Sequence, residues 1–179
     1  METTAPNDNY GLSFGLIAGL IVCIITLAQY LGGLNAYLSP LGYLTYAAIT
    51  ILAILAGLRK KKANEGYLEF GEALKTTFTV FALALLLQTI FTYILLNFID
   101  VSFKEALTQE VMTKSEEMMR RFGATDEQID KAMENERGKD PFALNRVMLG
   151  YAISCILAFI ICLIISVSIK KNKPVFNNI

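Results

Sequence analysis

The residues best placed to do chemistry are three glutamates, Glu65, Glu69 and Glu72, set directly behind the basic run Arg59, Lys60, Lys61, Lys62 and in front of a long apolar segment. Clustered carboxylates beside cations can serve as general acids or bases, or can hold a cationic group. The spacing is helical. Glu65, Glu69, Glu72, Thr76 and Thr79 fall on one face, and Tyr67, Phe70, Leu74, Phe78 and Phe81 on another. Counting about 20 residues back from Asp100 puts the edge of the hydrocarbon near Val80, so Glu72 stands about 12 Å beyond it, at interfacial depth. The plain expectation is an amphipathic start to a membrane helix. Its acids would be favoured by the positive helix N-terminus and paired with the basic run. The sharper expectation is a docking or head-group site with Glu72 turned to the bundle, the basic residues contacting anionic lipid.

Other chemistry is excluded by what the chain lacks. With no histidine, neither a Ser-His or Cys-His dyad nor a histidine metal site can be built. GxSxG, Walker A and GxGxxG motifs are missing as well. No catalytic residue, metal ligand or cofactor is therefore expected, and the chain reads as not an enzyme. Cys23, Cys155 and Cys162 lie in apolar segments, where cysteine behaves as a small apolar residue.

The elements that position these groups follow from where charge is avoided. In a 179-residue chain that is 54% hydrophobic, no charged residue occurs in 11–34, 41–58, 76–99 or 147–169. Each stretch approaches the ~20 residues needed to cross a bilayer core. The expected fold is an all-α membrane protein of four transmembrane helices forming a single membrane domain over 1–179. The 59–75 connection is basic and amphipathic, and Lys170, Lys171 and Lys173 follow the last span. The 100–146 loop carries eight basic and eleven acidic residues. Basic clusters stay cytoplasmic, which places both termini inside and the acidic loop outside. Tyrosines would mark the interfaces, Tyr10 and Tyr67 inside, Tyr37, Tyr43, Tyr93 and Tyr151 outside. No cleavable signal peptide is expected, since METTAPNDNY lacks a basic n-region.

The outer loop carries two capping-box patterns, Ser102 to Glu105 and Thr125 to Gln128, predicting a helical hairpin. The first helix would end near Phe122-Gly123, with Phe103, Leu107, Val111, Met118 and Phe122 on one face against membrane or bundle. The second carries Ile129, Ala132 and Met133. A capped, solvated connector is favoured over a partner-docking platform.

Small residues recur at every fourth position in the first span (Gly11, Gly15, Gly19, Cys23) and in the last (Gly150, Ser154, Ala158, Cys162, Ser166). Such ridges let helix backbones approach closely in lipid, so the first and fourth spans are expected to pack together; a homodimer seam is the alternative. The polar span residues, among them Thr26, Gln29, Gln88, Thr92 and Asn97, are uncharged and suit interhelical hydrogen bonds. A proton- or ion-coupled transporter would place ionisable groups there.

These features together resemble the domain-of-unknown-function 4199 family of small bacterial membrane proteins. The stretches that carry the resemblance are YGLSFGLIAG, the basic run before YLEFGEALK, FTYILLNFID, ATDEQIDKAME and the tail KKNKPVF. Glu69 stands where a serine is expected in relatives. The resemblance implies four helices and a bacterial inner-membrane location. Through relatives encoded near a membrane glycosyltransferase for lipid-linked sugars, it implies an accessory role. It assigns no activity or cofactor.

The expected function is a non-enzymatic scaffold or accessory subunit of the inner membrane, working through helix packing. The alternative is a handler of, or conduit for, lipid-linked sugars or another small ligand, using Glu72 and the basic run. Expected partners are the lipid bilayer and a second copy or another membrane protein, with no nucleic acid.

Overall fold

The computed structural model describes residues 9–173; the Pro174–Phe176 part of the tail motif lies outside them. Seven α-helices follow in order: α1 Tyr10–Leu31, α2 Gly33–Tyr37, α3 Gly42–Ala63, α4 Phe70–Ile94, α5 Val101–Arg121, α6 Asp126–Glu136 and α7 Leu144–Ile169. A π-helical turn, Leu95–Ile99, extends α4. Four helices are long and apolar enough to cross a membrane: α1, α3, α4 with its π turn, and α7. By its internal contacts the chain forms two compact units, one of residues up to Ile90 with those from Gly150 onward, the other Phe91–Leu149.

In the first unit, α1 and α3 form a hairpin through the α2 turn. Gly33, at φ 81°, supplies the left-handed residue that ends α1, and Ser39 Oγ donates to Ala36 O at 2.7 Å just before Pro40. The first unit's arrangement then turns on α4. The glycine ridge of α1 does not meet α7, as the spacing suggested; it meets α4. A Cβ on Gly11 would lie 3.0 Å from Thr79 Cβ and 3.1 Å from Thr76 O, and one on Gly15 would lie 3.1 Å from Leu83; Gly19 faces Leu87. Because the paired numbers rise together, α1 and α4 run parallel.

On its other side α4 packs antiparallel against α7. Tyr151 OH donates to Ala82 O at 3.2 Å, the rings of Phe78 and Phe159 meet edge to face at 5.7 Å, and the Thr77 and Ser166 hydroxyls lie 3.3 Å apart. The two small-residue ridges do serve helix packing, but α4 stands between them. Spacing identifies a ridge, and cannot say which neighbour it receives. Ala158, Cys162 and Ser166 are buried there, whereas Gly150 is exposed, with nothing near its Cβ position among the described residues.

Threonines in α4 return their hydroxyls to the helix, Thr76 to Glu72 O at 2.8 Å and Thr79 to Lys75 O at 2.7 Å, which satisfies them without a partner helix.

In the second unit, α5 does not open on Ser102. It opens two residues earlier on Asp100, whose Oδ1 accepts from Phe103 N at 2.8 Å. The π turn decides this, because Asp100 N reaches back five residues to Leu95 O at 2.9 Å and leaves Asp100 in extended backbone as the cap. The second capping box forms as the pattern predicts, with Gln128 N donating to Thr125 Oγ1 and Thr125 N to Gln128 Oε1. Gly123 (φ 82°) follows α5 and Gly138 (φ 80°) follows α6. Leu107 and Ile129 are buried, but Met118 and Phe122, expected on the covered face of α5, are exposed.

Candidate functional site

The charged groups singled out by the sequence gather where α3 ends and α4 begins. Basic residues fill the last turn of α3 and suit its negative C-terminal end. The chain then turns sharply through Glu65 (φ 56°) and Gly66 (φ 87°) before α4 opens at Phe70. Glu65 therefore sits in a turn and does not share a helical face with Glu69 and Glu72. A left-handed turn breaks the i, i+4 register that a continuous helix would have kept. Glu69 immediately precedes α4, with its carbonyl accepting from Ala73 N at 2.9 Å.

Glu72 lies in the first turn of α4 and is exposed. Asn64 Nδ2 donates to its Oε2 at 3.3 Å, and Lys60 Nζ stands 3.9 Å from Oε1. The ion pair is long and half in solvent, so it contributes at most ~1 kcal/mol. Its geometry balances the carboxylate within the chain.

Lys61 is drawn away to a different task. Its Nζ donates to Ile169 O at 2.8 Å and satisfies a terminal carbonyl of α7. Beside it, Leu68 and Lys171 exchange two backbone hydrogen bonds of 2.8 Å, an isolated antiparallel bridge that binds the connection to the tail. Lys171 lies 5.4 Å above the Tyr67 ring, with Lys173 at 6.0 Å from the same ring and Lys170 at 6.0 Å from Phe70. Together these contacts form a clasp holding the end of α3, the start of α4 and the end of α7. Arg59, Lys62 and Lys75 remain exposed around it.

A shallow cavity of about 410 Å³ opens here, lined by Asn64, Tyr67, Glu65, Glu69, Glu72 and Lys173 among others. The tail lysines were expected to orient the chain but were not, any more than Asn64, among the candidate site residues. The Asn-Glu-Gly turn was the available signal for the first; nothing in the spacing foretold that Lys171 would pair with Leu68.

The helix-packing residues divide. Gly11, Gly15 and Gly19 contact α4 and Ala158 is buried, Ser154 is half-buried, and Gly150 takes no part in the packing. Among the described residues, no three histidines, cysteines or carboxylates gather as metal ligands.

A family model described as a protein of unknown function (DUF4199) matches residues 13–171. The chain belongs to that family. The match runs from the first turn of α1 to the bridge residue Lys171, so Gly15, Gly19 and the Leu68–Lys171 bridge lie within the shared region, while Gly11 precedes it and Lys173 follows it. No curated protein and no solved structure matches the chain.

Proposed function

We propose that this chain is a non-enzymatic integral protein of a bacterial cytoplasmic membrane, a scaffold or accessory subunit with both termini inside. The clasp carries the reading. It joins the two basic segments, 59–62 and 170–173, at one end of the first unit through Lys61–Ile169 and Leu68–Lys171. Lys and Arg so concentrated stay on the cytoplasmic side and face anionic head groups there. Glu72 is spent on Asn64 and Lys60, which supports a structural role for it. What is left outward-facing is a fixed basic rim around the clasp and the apolar outer faces of α1 and α7, including Leu20, Ile24, Ile156 and Ile164. Such surfaces suit lipid and a membrane partner.

Native mass spectrometry in mild detergent with co-purification tests the reading: a reproducible complex is expected, and a monomer without a partner overturns it. Cysteine introduced at Lys62 should be labelled only from the cytoplasmic side.

The cavity beside Glu72 favours one second reading, a site that handles lipid-linked sugars or another small ligand. There, Glu72→Gln would abolish function while leaving membrane insertion intact.

A further inference from the structure

At the opposite end of the first unit, where α1 turns into α3, a second cavity of about 440 Å³ is lined by uncharged polar residues together with Leu38, Pro40 and Gly42. Gln29 and Thr26 come from the end of α1, Gln88 from α4, and Ser39, Thr45 and Tyr46 from the turn and the start of α3. Its volume falls within the ~300–1,000 Å³ of small-molecule sites. Two observations mark it as more than a packing gap. Thr26 and Thr45 are each only 2% exposed, so polar groups have been carried into an otherwise apolar helix end. Gln29 Nε2 is buried and has no hydrogen-bond partner among the described residues. Gln88 Nε2 donates to Thr26 Oγ1 at 3.4 Å, a second polar contact across the same helix ends. A buried donor left unpaired is costly.

The lining selects its occupant by elimination. Among the described residues it contains no Asp, Glu, Lys or Arg, so a charged ligand would lose its hydration without gaining a counter-charge. A purely apolar ligand would leave Gln29 unpaired. What fits is an uncharged group rich in acceptor oxygens. The mouth adds a second requirement: Tyr43, 77% exposed, lines it, and the adjacent Leu41 and Leu44 are exposed and apolar. Gln29 lies within three residues of the end of α1, the depth at which lipid ester carbonyls meet a membrane helix. We propose that this cavity binds the uncharged hydroxyl-and-ester head of a neutral, diacylglycerol-type lipid, its acyl chains passing along Leu41 and Leu44. Gln29 Nε2 would donate to an ester or hydroxyl oxygen. The site is separate from the clasp and goes beyond the scaffold reading, requiring only that the helices lie in a membrane.

The test uses the full chain in phosphatidylcholine nanodiscs with increasing dioleoylglycerol, reading unfolding temperature and, by native mass spectrometry, retained lipid. A saturable upward shift and one retained dioleoylglycerol are expected; Gln29→Leu should weaken the response about tenfold, the effect of losing a hydrogen bond together with its buried partner. Thr45→Val, which keeps the side-chain shape, gives a second reading if Gln29→Leu does not fold, and should weaken the response likewise. No shift, or a shift that neither variant alters, overturns the proposal. Free glycerol is the soluble source of the same chemistry. A shift with free glycerol that Gln29→Leu removes would overturn assignment to a lipid.

Discussion

At Gly11 a single hydrogen stands where any other residue would put a carbon 3.0 Å from Thr79 Cβ and 3.1 Å from the Thr76 carbonyl. Backbone cannot yield as a flexible side chain can, so Gly11→Val should separate α1 from α4 at a cost of about 1–3 kcal/mol. Gly150→Val serves as the control: its site is open, and its unfolding midpoint in detergent should stay near that of the parent. Equal losses from both would refute the assignment of the ridge to α4. A second contrast lies at the turn before α4. Gly66 at φ 87° has room for a side chain but a backbone that resists one, so Gly66→Ala should cost about 1 kcal/mol, whereas Glu65→Gly relieves the neighbouring residue at φ 56° and should leave stability unchanged or higher. Chemical denaturation of the two variants side by side measures the difference.

Among the elements, the end of α6 and the turn after it are tied down by charge. Arg146 donates to Glu136 through Nη1 at 2.6 Å and Nη2 at 3.3 Å, and Lys104 Nζ reaches Asp140 Oδ2 at 2.9 Å and Asn97 Oδ1 at 3.1 Å. The hydrogen bond from Arg146 holds the Glu136 carboxyl below the ordinary carboxylate range, and that from Lys104 does the same for Asp140. Both groups bind protons more weakly folded than unfolded. Their contribution is therefore complete above the ordinary carboxylate value near ~4 and disappears as pH falls through the lowered values. Amide exchange along α6, corrected for its intrinsic pH dependence, should speed up in that acid window, and Glu136→Gln should flatten the response. Thr125→Ala, which removes the formed capping box, should cost about 1 kcal/mol by thermal unfolding at neutral pH. The helices themselves were legible because charge-free length and capping chemistry are local properties. Thr125 was read correctly for that reason. Ser102 was not, because the π turn that promotes Asp100 to the cap has no marker in Leu-Leu-Asn-Phe-Ile. Glu65 failed in the same way: helical spacing continues on paper through a residue whose backbone has already turned left-handed.

Across the whole molecule, small-residue spacing announced close packing, while the identity of the partner depended on how the chain returns, a non-local choice that spacing does not contain. The clasp is equally non-local, since Lys61 and Ile169 are 108 residues apart. Lys171→Pro removes the N–H that Leu68 O accepts and should free the tail; spin labels at 62 and 172 should then report a broadened distance distribution, with the helices unchanged by circular dichroism. The placing of α4 against the glycines of α1 also has a consequence in time. A chain emerging from the ribosome delivers α1 and α3 to the membrane before α4 has been made. During that interval Gly11, Gly15 and Gly19 present a bare seam of the kind that joins helices of separate molecules. Synthesis of α4 covers that seam.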